Sequence, residues 1–254
     1  MQVTVLGTSG SYPGPHKACS GFLVTEGDDH LLLDCGPGVL AGLQVHLPME
    51  DLTGIIISHM HPDHFLDLIV MRYALVYGSH PRPSPLPLYL PPGGKRIWER
   101  MVEPLTEVGN NFSRPFDLRE YGDSSWYALG ALKVRPAPLK HYIPSYGFEI
   151  CASGRLVHSG DTRPCAELLS LAHQADLFLC EATWLEDEAP LEKRGHLTAR
   201  EAGEIAQEAD VRRLLLTHVS PDVDSQKSLE AARGAFSGEV LLAQEGQTYT
   251  VSAE

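Results

Sequence analysis

An uncharged run, Gly54-Ile55-Ile56-Ile57-Ser58, leads directly into His59-Met60-His61-Pro62-Asp63-His64, and this junction constrains the fold more than any other stretch. Consecutive β-branched residues favour a strand, and a strand this apolar is buried. Its end must open on a cavity, because three imidazoles and a carboxylate are costly to bury without partners. Two histidines two residues apart project both rings to one side of an extended segment. The chain then turns at Pro62 into a helix, so Asp63 and His64 face the same cavity from the other side. Imidazole and carboxylate are ligand types that zinc and manganese take, and four of them in six residues can serve two ions. The bland alternative is a histidine-rich helix start in which Asp63 only stabilises the dipole. Four specific residues at four fixed positions speak against it.

Around this junction, strand and helix patterns alternate without a repeat, a low-complexity tail or a long run of like charge. Apolar, β-rich runs occur at residues 3–6, 21–25, 31–34, 55–58, 132–134, 147–151, 156–159, 177–180, 214–217 and 240–242. Helical patterns cover 37–46, 64–77, 96–105, 164–173, 199–208 and 225–236. Thr198 and Glu201 have the spacing of a capping box, and Pro164 suits the first turn of the helix it opens. The proline-dense stretch 79–92 reads as an extended connector. These features predict one α/β domain over residues 1–254 with two sheets. No 18-residue apolar run exists, so no transmembrane helix is expected. The start of the chain lacks a charged and then apolar leader, which points to the cytoplasm. Five cysteines without Cys-x-x-Cys spacing suit free thiols in that compartment.

The His-x-His-x-Asp-His pattern after a buried strand resembles the signature of the metallo-β-lactamase superfamily. The resemblance implies an α/β fold, a four-layer αββα sandwich with a dinuclear metal site at one edge of its two sheets. Further motifs follow in the family's order. His141, in His-x-x-x-Ser-Tyr-Gly-Phe, looks like the third ligand motif of the ribonuclease Z branch. Asp161, in Ser159-Gly160-Asp161-Thr162, matches the carboxylate that bridges both metals, and His218, in Leu216-Thr217-His218, matches the last ligand. Leu6-Gly7-Thr8-Ser9-Gly10 and Leu33-Asp34-Cys35-Gly36 look like the family's first hairpins. The resemblance thus implies that His59, His61 and His141 hold one metal, and that Asp63, His64 and His218 hold the other. Asp161 and a water or hydroxide bridge them. Asp63 is both a ligand and a candidate catalytic residue. The implied cofactors are two divalent ions, zinc first, with manganese and iron as alternatives that such ligands accept.

A second constellation narrows the branch. Glu181-Ala182-Thr183 and Gly195-His196-Leu197-Thr198 are similar to segments of ribonuclease Z-like hydrolases in which the histidine acts beside the metals. On that resemblance His196 protonates the leaving oxygen or stabilises the phosphoryl group, and Glu181 orients its ring. His158, alternating with apolar neighbours, reads as packing or support; His16, His30, His46, His80 and His173 read as loop or helix-end residues. Tyr73, Tyr77 and Trp98 read as packing aromatics.

Ribonucleases Z that process tRNA carry a long arm between the third ligand motif and the bridging aspartate. Here residues 142–160 fill that interval with two strands and a turn. The formal charge of −13, from 20 basic against 33 acidic residues, also lacks the basic field that grips nucleic acid. The armless pattern is similar to that of bacterial cyclic nucleotide phosphodiesterases, which implies a small phosphodiester substrate, no membrane partner and a homodimer. The alternatives are a tRNA 3′-end endoribonuclease, a β-lactam or thioester hydrolase, and a non-catalytic metal-binding protein.

Overall fold

A computed structural model describes residues 1–78, 82, 84–105, 115–123, 125–185 and 190–253. Its first sheet contains β1 (Gln2–Gly7), β2 (Gly21–Glu26), β3 (Asp29–Leu33), β4 (Gly54–Ile56), β5 (Leu86–Leu90) and β6 (Phe116–Glu120) in sequential order. The second contains β7 (Tyr127–Leu129), β8 (Leu132–Leu139), β9 (Ser145–Cys151), β10 (Arg155–His158), β11 (Leu177–Glu181), β12 (Arg213–Thr217) and β13 (Glu239–Leu242). A last strand, β14 (Thr248–Thr250), returns to the first sheet and pairs antiparallel with β1. Each sheet is antiparallel in its earlier strands and parallel from β3 or β10 onward.

The four layers follow from the period of two in these strands. Leu31, Leu33 and Ile56 face the second sheet, where they meet Phe148, Ile150, Leu177 and Leu179. Their neighbours Leu32, Ile55 and Ile57 point the other way. That outer face is covered by α1 (Val39–His46), the single-turn α2 (Pro62–Phe65), α3 (Asp67–Tyr77) and α4 (Gly94–Val102). On the far side, Phe178, Cys180, Leu214 and Leu216 pack under α5 (Ala166–Ala172), α6 (Ala199–Glu208) and α7 (Ser225–Arg233). Strands buried on both faces must be apolar at every position, and these are. Each such Leu or Ile contributes roughly 1.5–3 kcal/mol by leaving water. The αββα sandwich is therefore a direct result of the alternation.

All ten sequence-predicted strands are present, and Thr198 and Glu201 form the reciprocal capping box that starts α6. The helix predicted over 64–77 divides at Leu66, because the Asp67 amide donates to Cys35 O instead of continuing the helical ladder. The Asp67 carboxylate in turn accepts from Gly38 N and Leu40 N, which caps α1 where Gly38 has no side chain to do so. Pro164 lies before α5, whose cap is Cys165, so it does not occupy the first turn.

The predicted connector over 79–92 is corrected in its second half. Residues 86–90 form a buried strand between β4 and β6; residues 79–81 and 83 lie outside the described set. Pro87 is tolerated there because β4 begins to pair only at Leu88, so a missing N–H on that side breaks no ladder bond. His30 lies in β3 rather than in a loop, and His80 lies outside the described residues. Trp98 packs in the core, whereas Tyr73 and Tyr77 stack on each other at the surface beside Arg72. The described cysteines are free. No helix among the described residues is long and apolar enough to cross a membrane.

Candidate metal centre

Parallel strands deliver the polar residues to one edge. β10, β11 and β12 run side by side, so the segments leaving their C-terminal ends carry Asp161, Glu181 and His218 to a common level. β4 delivers His59 to His64 from the first sheet, and a bridge between His59 and Ser145 joins the sheets at this point. Ligands collect outside the carboxyl ends of parallel strands for this reason. His218 itself has a left-handed backbone, with φ of 54°. Gly10 allows it, since a Cβ there would lie 2.8 Å from both His218 Nδ1 and its carbonyl oxygen.

Two main groups of donor atoms result, and Asp161, His196 and His218 form a third that overlaps them. His59 Nε2 and His141 Nε2 each lie 3.1 Å from His61 Nδ1. His218 Nε2 lies 3.2 Å from His64 Nε2 and 3.3 Å from Asp63 Oδ2, with 3.6 Å between the last two. Asp161 Oδ2 touches both groups, at 3.6 Å from His59 Nε2 and 3.4 Å from the Nε2 atoms of His64 and His218. Donors on a tetrahedral zinc with bonds of about 2.0–2.1 Å stand roughly 3.3 Å apart. The seven predicted ligands are thus brought together, four around one point and three around a neighbouring one, with Asp161 reaching both.

The chemistry of the donors fits a cation as well as their spacing does. His64 Nδ1 donates to Asp34 Oδ2 at 2.8 Å, and His141 Nδ1 donates to the Gly195 carbonyl at 2.7 Å. His59 Nδ1 and His218 Nδ1 contact the hydroxyls of Ser58 and Thr183 at 3.1 and 2.9 Å. A proton committed to Nδ1 leaves a lone pair on Nε2, which is the atom each ring turns to the centre. Burial pushes His59, His61 and His141 down, which keeps them neutral and able to ligate. Burial raises the carboxyls of Asp161 and Asp63, but the neighbouring histidines outweigh it and hold both ionised. His64 is held up despite its burial by Asp161 and Asp34, so an incoming cation must displace the proton from its Nε2.

His196 lies beside these groups, with its ring 4.8 Å from that of His141 and 5.6 Å from that of His218. Its Nδ1 is 3.2 Å from both oxygens of Glu181 and from Thr183 Oγ1. Burial lowers its pKa, yet the attraction and hydrogen bond of Glu181, helped by Asp161, bring it up to about 9. Glu181 also accepts from Thr162 N and Thr183 Oγ1, so it braces the loop that carries Asp161 as well as the imidazole. His158 packs between Phe22 and Phe148, is pushed down to about 4 by burial, and accepts from Gly160 N.

Sequence reasoning passed over the supporting shell. Asp34 was legible only as part of a hairpin, although it is fully buried and also accepts from Ser58 N and Oγ. An acid closing the run Leu31-Leu32-Leu33 was the available signal. Thr183, which links Glu181, His196 and His218, and the Ser11 amide, which donates to Asp63 Oδ2 at 2.8 Å, had no comparable signal.

Residues 29–219 match the family described as the Beta-lactamase superfamily domain. An uncharacterized protein of Mycobacterium leprae is 36% identical, covering 100% of this chain and 89% of its own. A ribonuclease Z of Myxococcus xanthus is 30% identical over 303 aligned positions, covering 98% of this chain and 97% of its own. The crystal structure of the metallo-β-lactamase-fold protein YhfI of Bacillus subtilis superposes with a TM-score of 0.86 at 29% identity, covering 98% of both chains. With its sandwich and its cluster of metal-type ligands, the chain belongs to the metallo-β-lactamase superfamily of metal-dependent hydrolases, in its ribonuclease Z-like branch.

Proposed function

We propose that the protein is a phosphodiesterase acting on small phosphodiesters such as cyclic nucleotides. The carrying observation is His196, a buried imidazole held 3.2 Å from Glu181 and next to both ligand groups. Cleaving a phosphodiester expels an alkoxide, which needs a proton, and a positioned imidazolium supplies one. His59, His61 and His141 would hold one divalent ion and Asp63, His64 and His218 a second, with Asp161 within reach of both groups, and such a pair would supply an activated water at neutral pH and positive charge for the phosphoryl oxygens. Zinc is the metal we infer first, from the tetrahedral spacing of the nitrogen donors. Within the chain, Asp34, Gly195 and Thr183 keep the ligand rings oriented. Glu181 orients His196, and the His196 proton passes to the departing oxygen.

Substrate size is supported by the connection between His141 and Asp161. β9 and β10 are joined by a turn at residues 152–154, closed by the Ala152 amide on Gly154 O, and nothing projects from it to hold a polymer. The alignment with the Myxococcus ribonuclease Z runs to 303 positions against 254 residues here, so that relative carries insertions that this chain lacks. The second reading, cleavage of precursor tRNA, is favoured by several relatives that share the name ribonuclease Z.

The test is a hydrolysis panel on metal-reconstituted protein with cyclic AMP, a generic aryl phosphodiester, a precursor tRNA and a β-lactam, and His61→Ala as the blank. Preference for cyclic AMP or the aryl diester supports the proposal. Faster cleavage of tRNA or of the lactam overturns it, and activity surviving in His61→Ala overturns the dinuclear mechanism.

A further inference from the structure

Tyr142 stands apart from the other aromatic side chains around the centre. It follows the ligand His141 directly, with ring centroids 5.0 Å apart, and lies 6.0 Å from the ring of His196, yet 62% of the residue is exposed. A tyrosine this exposed beside the two imidazoles leaves ring surface free for a partner.

Its position is fixed from below by Gly195. A Cβ on that residue would meet Tyr142 Cε2, Cδ2 and Cζ at 2.4, 2.6 and 2.7 Å. The ring therefore lies against the Gly195 backbone, on a segment already anchored because Gly195 O accepts from His141 Nδ1. Glycine is required here for the close approach of ring to backbone. One side of Tyr142 is thus braced by the residue that orients the candidate ligand His141, while much of the side chain stays exposed beside His141 and His196. An aromatic plane beside a phosphoryl-binding centre suits a substrate that carries its own aromatic ring near its phosphate.

Resting on the phosphodiesterase reading above, we propose that Tyr142 is the stacking platform for the base of a nucleotide substrate, and so a specificity-determining residue. Stacking on an aromatic side chain tolerates any base, because every base presents a π-face. The residue then discriminates nucleotides from base-free phosphodiesters rather than one base from another.

The experiment compares wild type, Tyr142→Phe and Tyr142→Ala on cyclic AMP, cyclic GMP and a base-free ribose cyclic phosphate. For Tyr142→Ala we expect KM for both nucleotides to rise roughly 5- to 150-fold with kcat nearly unchanged, and KM for the base-free substrate to stay put. Tyr142→Phe should keep nucleotide KM near that of wild type. Equal losses on nucleotide and base-free substrates would overturn the proposal, as would a loss in Tyr142→Phe as large as in Tyr142→Ala. Calorimetric binding of adenosine monophosphate against ribose 5-phosphate to the metal-loaded protein gives the same comparison without turnover. A wild type inert toward cyclic nucleotides and the aryl diester alike would overturn the phosphodiesterase reading, whereas the binding difference and its loss in Tyr142→Ala still decide on Tyr142.

Discussion

Replacing Asp34 by Asn tests whether the second metal position depends on a residue that touches no metal. Asn keeps the size and tolerates the left-handed backbone at φ 58°, so the main chain need not move. Its carbonyl can still accept from Ser58 N, which now donates to Oδ1 at 2.7 Å. Its amide then replaces Oδ2, the atom that accepts from His64 Nδ1 and from Ser58 Oγ, each at 2.8 Å. Two donors cannot face each other, so His64 must shift its proton to Nε2. That proton points at Asp63, Asp161 and His218, 3.2–3.6 Å away, where a lone pair is required. Loss of such a supporting bond costs about 10- to 100-fold in metal affinity, or roughly 1.4–2.7 kcal/mol. The group of His59, His61 and His141 reaches Asp34 only through Ser58 Oγ, which lies 3.1 Å from His59 Nδ1 and donates to Asp34 Oδ2, and should change less. Metal stoichiometry after dialysis against graded chelator, with a competition titration for the weaker ion, reads the effect directly. Circular dichroism confirms that the variant is folded. A folded Asp34→Asn protein that binds both ions with wild-type affinity would refute the reasoning.

Three other outcomes are expected. His196→Ala should retain both metals by elemental analysis yet lose about 10²- to 10⁴-fold in turnover, the usual worth of a general acid; depletion of metal instead would make His196 a ligand. Ile56→Ala, at a fully buried inter-sheet position, should lower the urea-unfolding free energy by about 2–5 kcal/mol, and a loss under 1 kcal/mol would mean that the sheets close over the gap. Glu149 is raised by burial but held below its ordinary range overall by Arg155 and Arg135. A carboxyl depressed in the folded state contributes stability above its unfolded pKa of about 4.3 and loses it as pH falls through the lower folded value. Wild type should therefore exceed Glu149→Gln in unfolding free energy at pH 7, with the gap closing below about pH 4; a gap independent of pH would remove the ion pairs from the account.

The sequence alone carried the two-sheet α/β pattern and the residues that gather at the candidate site. Alternation in Leu31-Leu32-Leu33 dictates two buried faces, and a strand buried on both faces demands helices outside it. The spacing of His59, His61, Asp63 and His64 is local, because a strand end and the helix turn after Pro62 can aim all four side chains at one cavity. Thr198 and Glu201 likewise act within one helical turn. Tertiary structure decided what no local rule reaches. β5 is a strand despite Pro87 because β4 and β6 offer it two partners, and β14 forms by pairing with β1, far away in the chain. Asp34 meets His64 across 30 residues and Gly195 meets His141 across 54. Such contacts have no period and no spacing. They arise when two sheets stack and bring strand ends to one edge, and there the orientation of each imidazole is set.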